Sequence, residues 1–174
     1  MTEIGRIIRE MRNAYFRGEN AMKVARDFQF GSSEKENTVL ATLVAYDLQA
    51  GSYIRYHNEN PEFSSAWCLQ LSEIIATYLS DAGSVLELGV GEATTLKRVI
   101  NKIEERGGGE NKFLGFDISW SRIKTAKEFL GNDKATLFVA DPFNIPLEDH
   151  SIYLVYSSHS LEPNGGREND AVRE

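Results

Sequence analysis

Ser84-Val85-Leu86-Glu87-Leu88 is a short apolar run that enters the turn Gly89-Val90-Gly91-Glu92-Ala93. A helical pattern follows from Thr94 to about Glu105 and is closed by Gly107-Gly108-Gly109. Strand, glycine turn and helix in that order form the first unit of an alternating domain, and the alternation continues. Phe113-Leu114-Gly115-Phe116 reads as a second strand ending at Asp117, and Ser119 caps a helix over about Ser121 to Leu130. Thr136 to Ala140 is a third strand ending at Asp141, and a loop with Pro142 and Pro146 leads to a fourth, Ile152 to Tyr156. Strands alternating with helices predict a parallel sheet in an α/β domain. Residues 81–174 are read as this core, and residues 1–80 as a helical lid or cap.

Upstream, Ile4, Ile7, Ile8, Met11 and Tyr15 fall at helical spacing, with Arg6, Arg9 and Arg12 off that stripe. A second short helix is expected from Ala21 to Phe28, then a polar break over residues 31–37. A third helix is expected from Thr38 to Gln49, ended by Gly51. Asn60-Pro61-Glu62 reads as a helix start, running to about Ser80 and turning Trp67, Leu71, Ile74, Ile75 and Tyr78 towards a core. A last helix is expected from Arg167 to Glu174.

Composition bounds the chemistry. The 174 residues are the size of one domain, with 41% hydrophobic and 26% charged residues. Lys plus Arg is 19 against 26 for Asp plus Glu, a net charge of -7, which argues against broad binding to nucleic-acid phosphates. A single cysteine, Cys68, excludes a disulfide framework and a zinc cluster, and a reducing, cytoplasmic setting is expected. No run approaches the ~18 apolar residues of a membrane-spanning helix. His57 and His150 lack companions at ligand spacing, so no metal site is expected.

Glu87, Asp117 and Asp141 all lie at carboxyl ends of strands, where open α/β sheets bind ligands. The glycines let a ligand approach the backbone, and the helix start offers free N–H groups to an anion. A dinucleotide fingerprint would read G-x-G-x-x-G, yet Thr94 stands three residues after Gly91, and Glu87 would repel the pyrophosphate. S-adenosylmethionine carries no phosphate, and its ammonium and sulfonium groups welcome an acid. Its carboxylate can use the helix start, and Asp117 can accept both ribose hydroxyls.

These residues carry a resemblance. Val85 to Gly91, Phe116-Asp117-Ile118-Ser119 and Asp141-Pro142-Phe143-Asn144-Ile145-Pro146-Leu147-Glu148-Asp149-His150-Ser151 together resemble a class I S-adenosylmethionine-dependent methyltransferase of the small-molecule branch. Val155-Tyr156-Ser157-Ser158-His159-Ser160-Leu161-Glu162 is similar to the same branch, so the likeness covers residues 83–164. It implies a Rossmann-like core, S-adenosylmethionine as cofactor, and a small-molecule methyl acceptor. It also implies that Glu87, Gly89 and Gly91 hold the methionine half, Asp117 the ribose, and Ile118 one side of the adenine. Asp141 would meet the adenine amino group with Pro142 and Phe143 nearby, while Ser157, Ser158 and His159 would stand near the transferring methyl. His159 is the first candidate base, with Tyr46 and Tyr53 from a helical lid as positioning groups.

The chain departs from that family pattern at Tyr153, where an aspartate is usual, and at Pro163, where a second histidine is common. The resemblance also implies seven strands, of which four are read here. The expectation is an incomplete core, truncated or completed by another chain, with the fourth strand as an exposed edge prone to self-association. A non-catalytic fragment and, less favoured, an NAD-dependent oxidoreductase stay open. Asp117 and Asp141 as turn caps, and His159 as an ordinary loop histidine, are the competing structural explanations.

Overall fold

The computed structural model describes residues 43–79, 82–107, 110–131, 133–161 and 168–174, with isolated positions among residues 6–27 and only the backbone of residues 63–65 and 67. Of the helix expected over Ala21 to Phe28 only Lys23, Val24 and Asp27 are described, all three helical; the break over 31–37, the start of the helix from Thr38, the Trp67 side chain, Pro163 and Arg167 lie outside the described residues. So do Ile4, Ile7, Ile8 and Tyr15, whereas Met11 and Ala14 are buried and Arg6 and Arg9 exposed.

Residues 43–49 are helical, and Gly51, at φ 91°, turns the chain into α1 (Ser52–Glu59). There follow α2 (Pro61–Tyr78), β1 (Ser84–Leu88), α3 (Thr94–Glu105), β2 (Lys112–Asp117), α4 (Trp120–Leu130), β3 (Thr136–Val139), β4 (Leu154–Ser157) and α5 (Glu168–Arg173). The strands form one sheet in the order β3-β2-β1-β4, every neighbour parallel. Register sets Leu88 level with Phe116 on one side and Ser157 on the other, so the strand ends expected to carry the site fall in one row.

Side chains alternate across each strand. Val85 and Phe113 face the larger apolar cluster, which Ile75 of α2, Leu96, Val99, Ile100 and Ile103 of α3 and Ile123, Ala126 and Leu130 of α4 complete. Leu86, Leu88 and Phe116 face the other side, against Ile145, Leu147, Ile152 and Leu161. Glu87, two residues on from Val85, therefore points to the helix-covered face and is 2% exposed. Gly115 sits opposite Glu87, and a Cβ on it would come 2.8 Å from Val90 Cγ2. Glycine at that point lets the turn after β1 fold down over β2, where the Val90 amide donates to the Phe116 carbonyl at 2.8 Å.

Three expectations need correction. Ile74 and Tyr78 are exposed, because Cys68, Ser72 and Ile75 mark the inward side of α2. Asn60 flanks α2 without a side-chain cap; its Nδ2 instead donates to the Tyr56 carbonyl. β4 begins at Leu154 rather than Ile152, since Tyr153 is tied through its amide to Ser84 and only then enters the ladder.

Candidate functional site

The carboxyl ends of β1 and β2 are joined by one side chain. Asp117 Oδ2 accepts from the Gly91 amide at 3.1 Å and Oδ1 from the Ser119 amide at 2.8 Å, so the acid pins the glycine turn to the start of α4. A carboxylate has about four acceptor positions, which leaves lone pairs for a ligand. Burial pushes the Asp117 carboxyl up, while the Ser119 amide, the Arg122 guanidinium and the Gly91 amide pull it back.

Glu87 is engaged from inside. Tyr156 Oη donates to its Oε2 at 2.9 Å, the Leu96 amide adds a further hydrogen bond, and burial raises its pKa to about 8. The same pairing and burial push the Tyr156 hydroxyl well above its ordinary range. With its carboxyl pKa raised to about 8, Glu87 offers no full charge to a sulfonium at pH 7, so the electrostatic argument drawn from its sequence position does not carry over to the folded chain.

Gly89, at φ 64°, lies under the loop after β4: a Cβ there would collide with Ser160, whose Oγ would be 2.7 Å away. Ser160 Oγ donates to the Leu88 carbonyl at 2.9 Å and lies 2.5 Å from Ser157 Oγ. Ser157 is thus brought to the glycine turn. His159 stands beside it, exposed and in the left-handed region at φ 58°. Ile118 is half-buried between Asp117 and Ser119. Asp141 lies just past β3, half-buried, and accepts from the Phe143 amide at 3.0 Å, which closes the turn holding Pro142.

The segment 43–59 is fastened over this row by two acids in opposite directions. Glu92, from the glycine turn and 2% exposed, accepts from the Gly51 and Ile54 amides at 2.9 and 2.8 Å and so caps α1. Asp47, from the helical residues 43–49, accepts from Ser119 Oγ and from the Ser121 amide at 3.3 Å at the start of α4. Between them the Arg122 guanidinium lies 4.3 Å from the Tyr46 ring centre and 4.7 Å from that of Tyr53. Tyr46 and Tyr53, expected as positioning groups, therefore meet at Arg122.

Sequence reasoning gave no role to Asp47, Glu92 or Arg122. Arg122 left one signal: it shares the apolar stripe of α4 with Ile123, Ala126 and Leu130, and an arginine on such a stripe needs a reason. Among the described residues, no group of three His, Cys, Asp or Glu could hold a metal ion, and no helix is long and apolar enough to cross a membrane.

A family model described as a methyltransferase domain matches residues 86–172, half of the chain. Among solved structures, the chain is similar to DesVI of Streptomyces venezuelae (18% identity over 62% of this chain and 42% of that one, TM-score 0.48). It is similar to a protein of Methanococcus maripaludis assigned as an S-adenosyl-L-methionine-dependent methyltransferase (20% identity, 61% and 48% covered, TM-score 0.49). It is also similar to a chain in the Haloferax volcanii complex of the Trm112 methyltransferase activator with its assigned methyltransferase (19% identity, 64% and 46% covered, TM-score 0.47). The chain spans less than half the length of each of these. No curated protein sequence matches it. By the match over residues 86–172, the chain belongs to the methyltransferase-domain family.

Proposed function

We propose that this chain carries the donor-binding half of an S-adenosylmethionine-dependent methyltransferase acting on a small molecule in the cytoplasm. The observation that supports it most is Asp117, a buried acid locked between the Gly91 and Ser119 amides with acceptor positions to spare. Those positions suit the two ribose hydroxyls, and Ile118 and the Asp141–Phe143 turn flank the place for the adenine. The glycine turn and the start of α3, whose N-cap Ala93 supplies no side-chain acceptor, suit the amino-acid end of the donor.

When bound, the cofactor supplies a methyl group already activated by its sulfonium. The chain's own work is then alignment and exclusion of water, and the Asp47 and Glu92 clasps hold the lid that would do the excluding. His159, exposed beside Ser157 and Ser160, is the candidate base for an acceptor that must lose a proton.

Calorimetric titration with S-adenosylmethionine, with NAD as the control ligand, tests this reading. Binding of the methyl donor alone, weakened at least about tenfold by Asp117→Asn, is expected. A chain that prefers NAD would overturn it. A second reading has its own observation: β4 is an edge with Val155 55% exposed. In that reading the sheet is completed by further polypeptide before the donor can bind, and a folded monomer would bind neither ligand.

A further inference from the structure

Arg122 is only 6% exposed, yet its Nε and Nη2 have no hydrogen-bond partner. These two atoms lie on the same edge of the planar guanidinium, the edge that receives both oxygens of a carboxylate in a forked pair. The tyrosine rings of the lid cover its faces, so the stacking with Tyr46 and Tyr53 uses none of its N–H groups. Its Nη1 lies 3.6 Å from where a Cβ on Gly91 would stand, which puts the cation against the glycine turn. Asp117 attracts the cation from nearby, but neither Asp117 nor Asp47 accepts from Nε or Nη2. Asp117 accepts from the Gly91 and Ser119 amides, and Asp47 from Ser119 and Ser121. α3 begins three residues after Gly91 and its N-cap Ala93 supplies no side-chain acceptor; of its first amides, that of Leu96 is taken by Glu87.

We propose that the Nε–Nη2 edge of Arg122 and the start of α3 form a carboxylate-binding subsite, reached when the lid residues 43–59 lift. A buried charged fork without an acceptor is unfavourable, and a planar monoanion is the partner its geometry fits. Two sources carry that chemistry: the amino-acid end of the methyl donor and an acid group on the acceptor. The inference rests on the donor-binding reading above, and it adds a residue on α4 to the glycine turn as the group that discriminates.

Calorimetric titration of the whole chain and of Arg122→Gln, with S-adenosylmethionine and its decarboxylated analogue, separates the possibilities. If the donor is the source, decarboxylation weakens binding to the wild type about tenfold or more. Arg122→Gln then weakens S-adenosylmethionine by a similar factor and leaves the decarboxylated compound unchanged. If the acceptor is the source, the variant binds both donors as the wild type does. It then loses binding of benzoate, a simple carboxylate probe, to the donor-saturated chain. Arg122→Lys, which keeps a cation between the tyrosines, provides a folded comparison where the glutamine variant fails to fold, and should recover only part of the preference. A wild-type preference that neither variant alters, together with unaltered benzoate binding, overturns the subsite. Absence of any donor binding by the wild type would instead count against the donor-binding reading, and the benzoate arm on the chain alone would still decide the role of Arg122.

Discussion

β1 and β4 lie side by side, yet the two strands are covered in opposite ways. Val85, Leu86, Glu87 and Leu88 are at most 7% exposed, whereas Val155 is 55% and the preceding Tyr153 60% exposed. β1 has neighbours on both edges and helices over one face, so its acid is held by internal partners; among the described residues β4 has a neighbour on one edge only. The contrast separates positions whose chemistry the interior dictates from positions free to meet another molecule. It also predicts where substitutions act through stability and where they act through association.

The largest effect should come from Glu87. Its carboxyl ionises near 4.5 in an unfolded chain and at about 8 in the folded one, so between those values the folded state holds more protons. Stability contributed by the neutral acid is present in full below about pH 4.5 and is lost as the pH rises towards 8, by on the order of 5 kcal/mol. Urea unfolding across that window should show the decline, and Glu87→Gln should remove most of it. An unchanged slope in the variant would place the titrating group elsewhere.

Gly89 should come next. Alanine there combines a left-handed φ with a collision against Ser160, which together should cost about 3 kcal/mol. Gly51 shares the left-handed backbone, at φ 91°, but has open space around its Cβ position, so Gly51→Ala should cost only about 1 kcal/mol. Equal losses in urea melts would mean that the loop after β4 yields to a side chain at Gly89. The comparison of β1 with β4 would then weaken at their point of contact.

A smaller change is expected where the lid meets the core. Glu92→Ala removes the acceptor from the Gly51 and Ile54 amides, at a cost of about 2 kcal/mol. The specific sign expected is faster hydrogen exchange at those two amides with the sheet amides unaltered, the mark of local opening of residues 43–59. Uniform acceleration across β1 and β2 would show that lid and sheet open together.

The same contrasts decide which elements the sequence makes legible. β1 and α3 are legible because a short apolar run gives way at a glycine turn to a 3.6-residue period, and α4 because Ser119 caps a helical stripe that follows a strand. α1 was missed because it has no buried residue, and without a core-facing stripe a short helix leaves no pattern. Asp117 was singled out by its place at a strand end, which topology alone assigns. Glu92 and Asp47 were not, because each role exists only across a distance in sequence, 41 residues from Glu92 to Gly51 and 72 from Asp47 to Ser119. Glu87 was placed at the right strand end, but which face it took depended on the alternation from Val85 and on the helices that cover that face.

The smallest effect on stability should come from the strand with the most open edge. Val155→Lys replaces an exposed apolar side chain on β4 by a charge, and surface changes of this kind cost within about 0.5 kcal/mol. The effect should appear in association instead. An exposed apolar edge is a template for another strand, and a lysine there opposes pairing by bringing its charge into the junction. Sizing of the wild-type chain over a range of concentrations should therefore show association that the variant lacks, with both melting alike. A wild type that stays monomeric throughout, or a variant that associates equally, would mean that the β4 edge is protected as it stands. The difference between β1 and β4 would then be one of burial alone, with no partner implied.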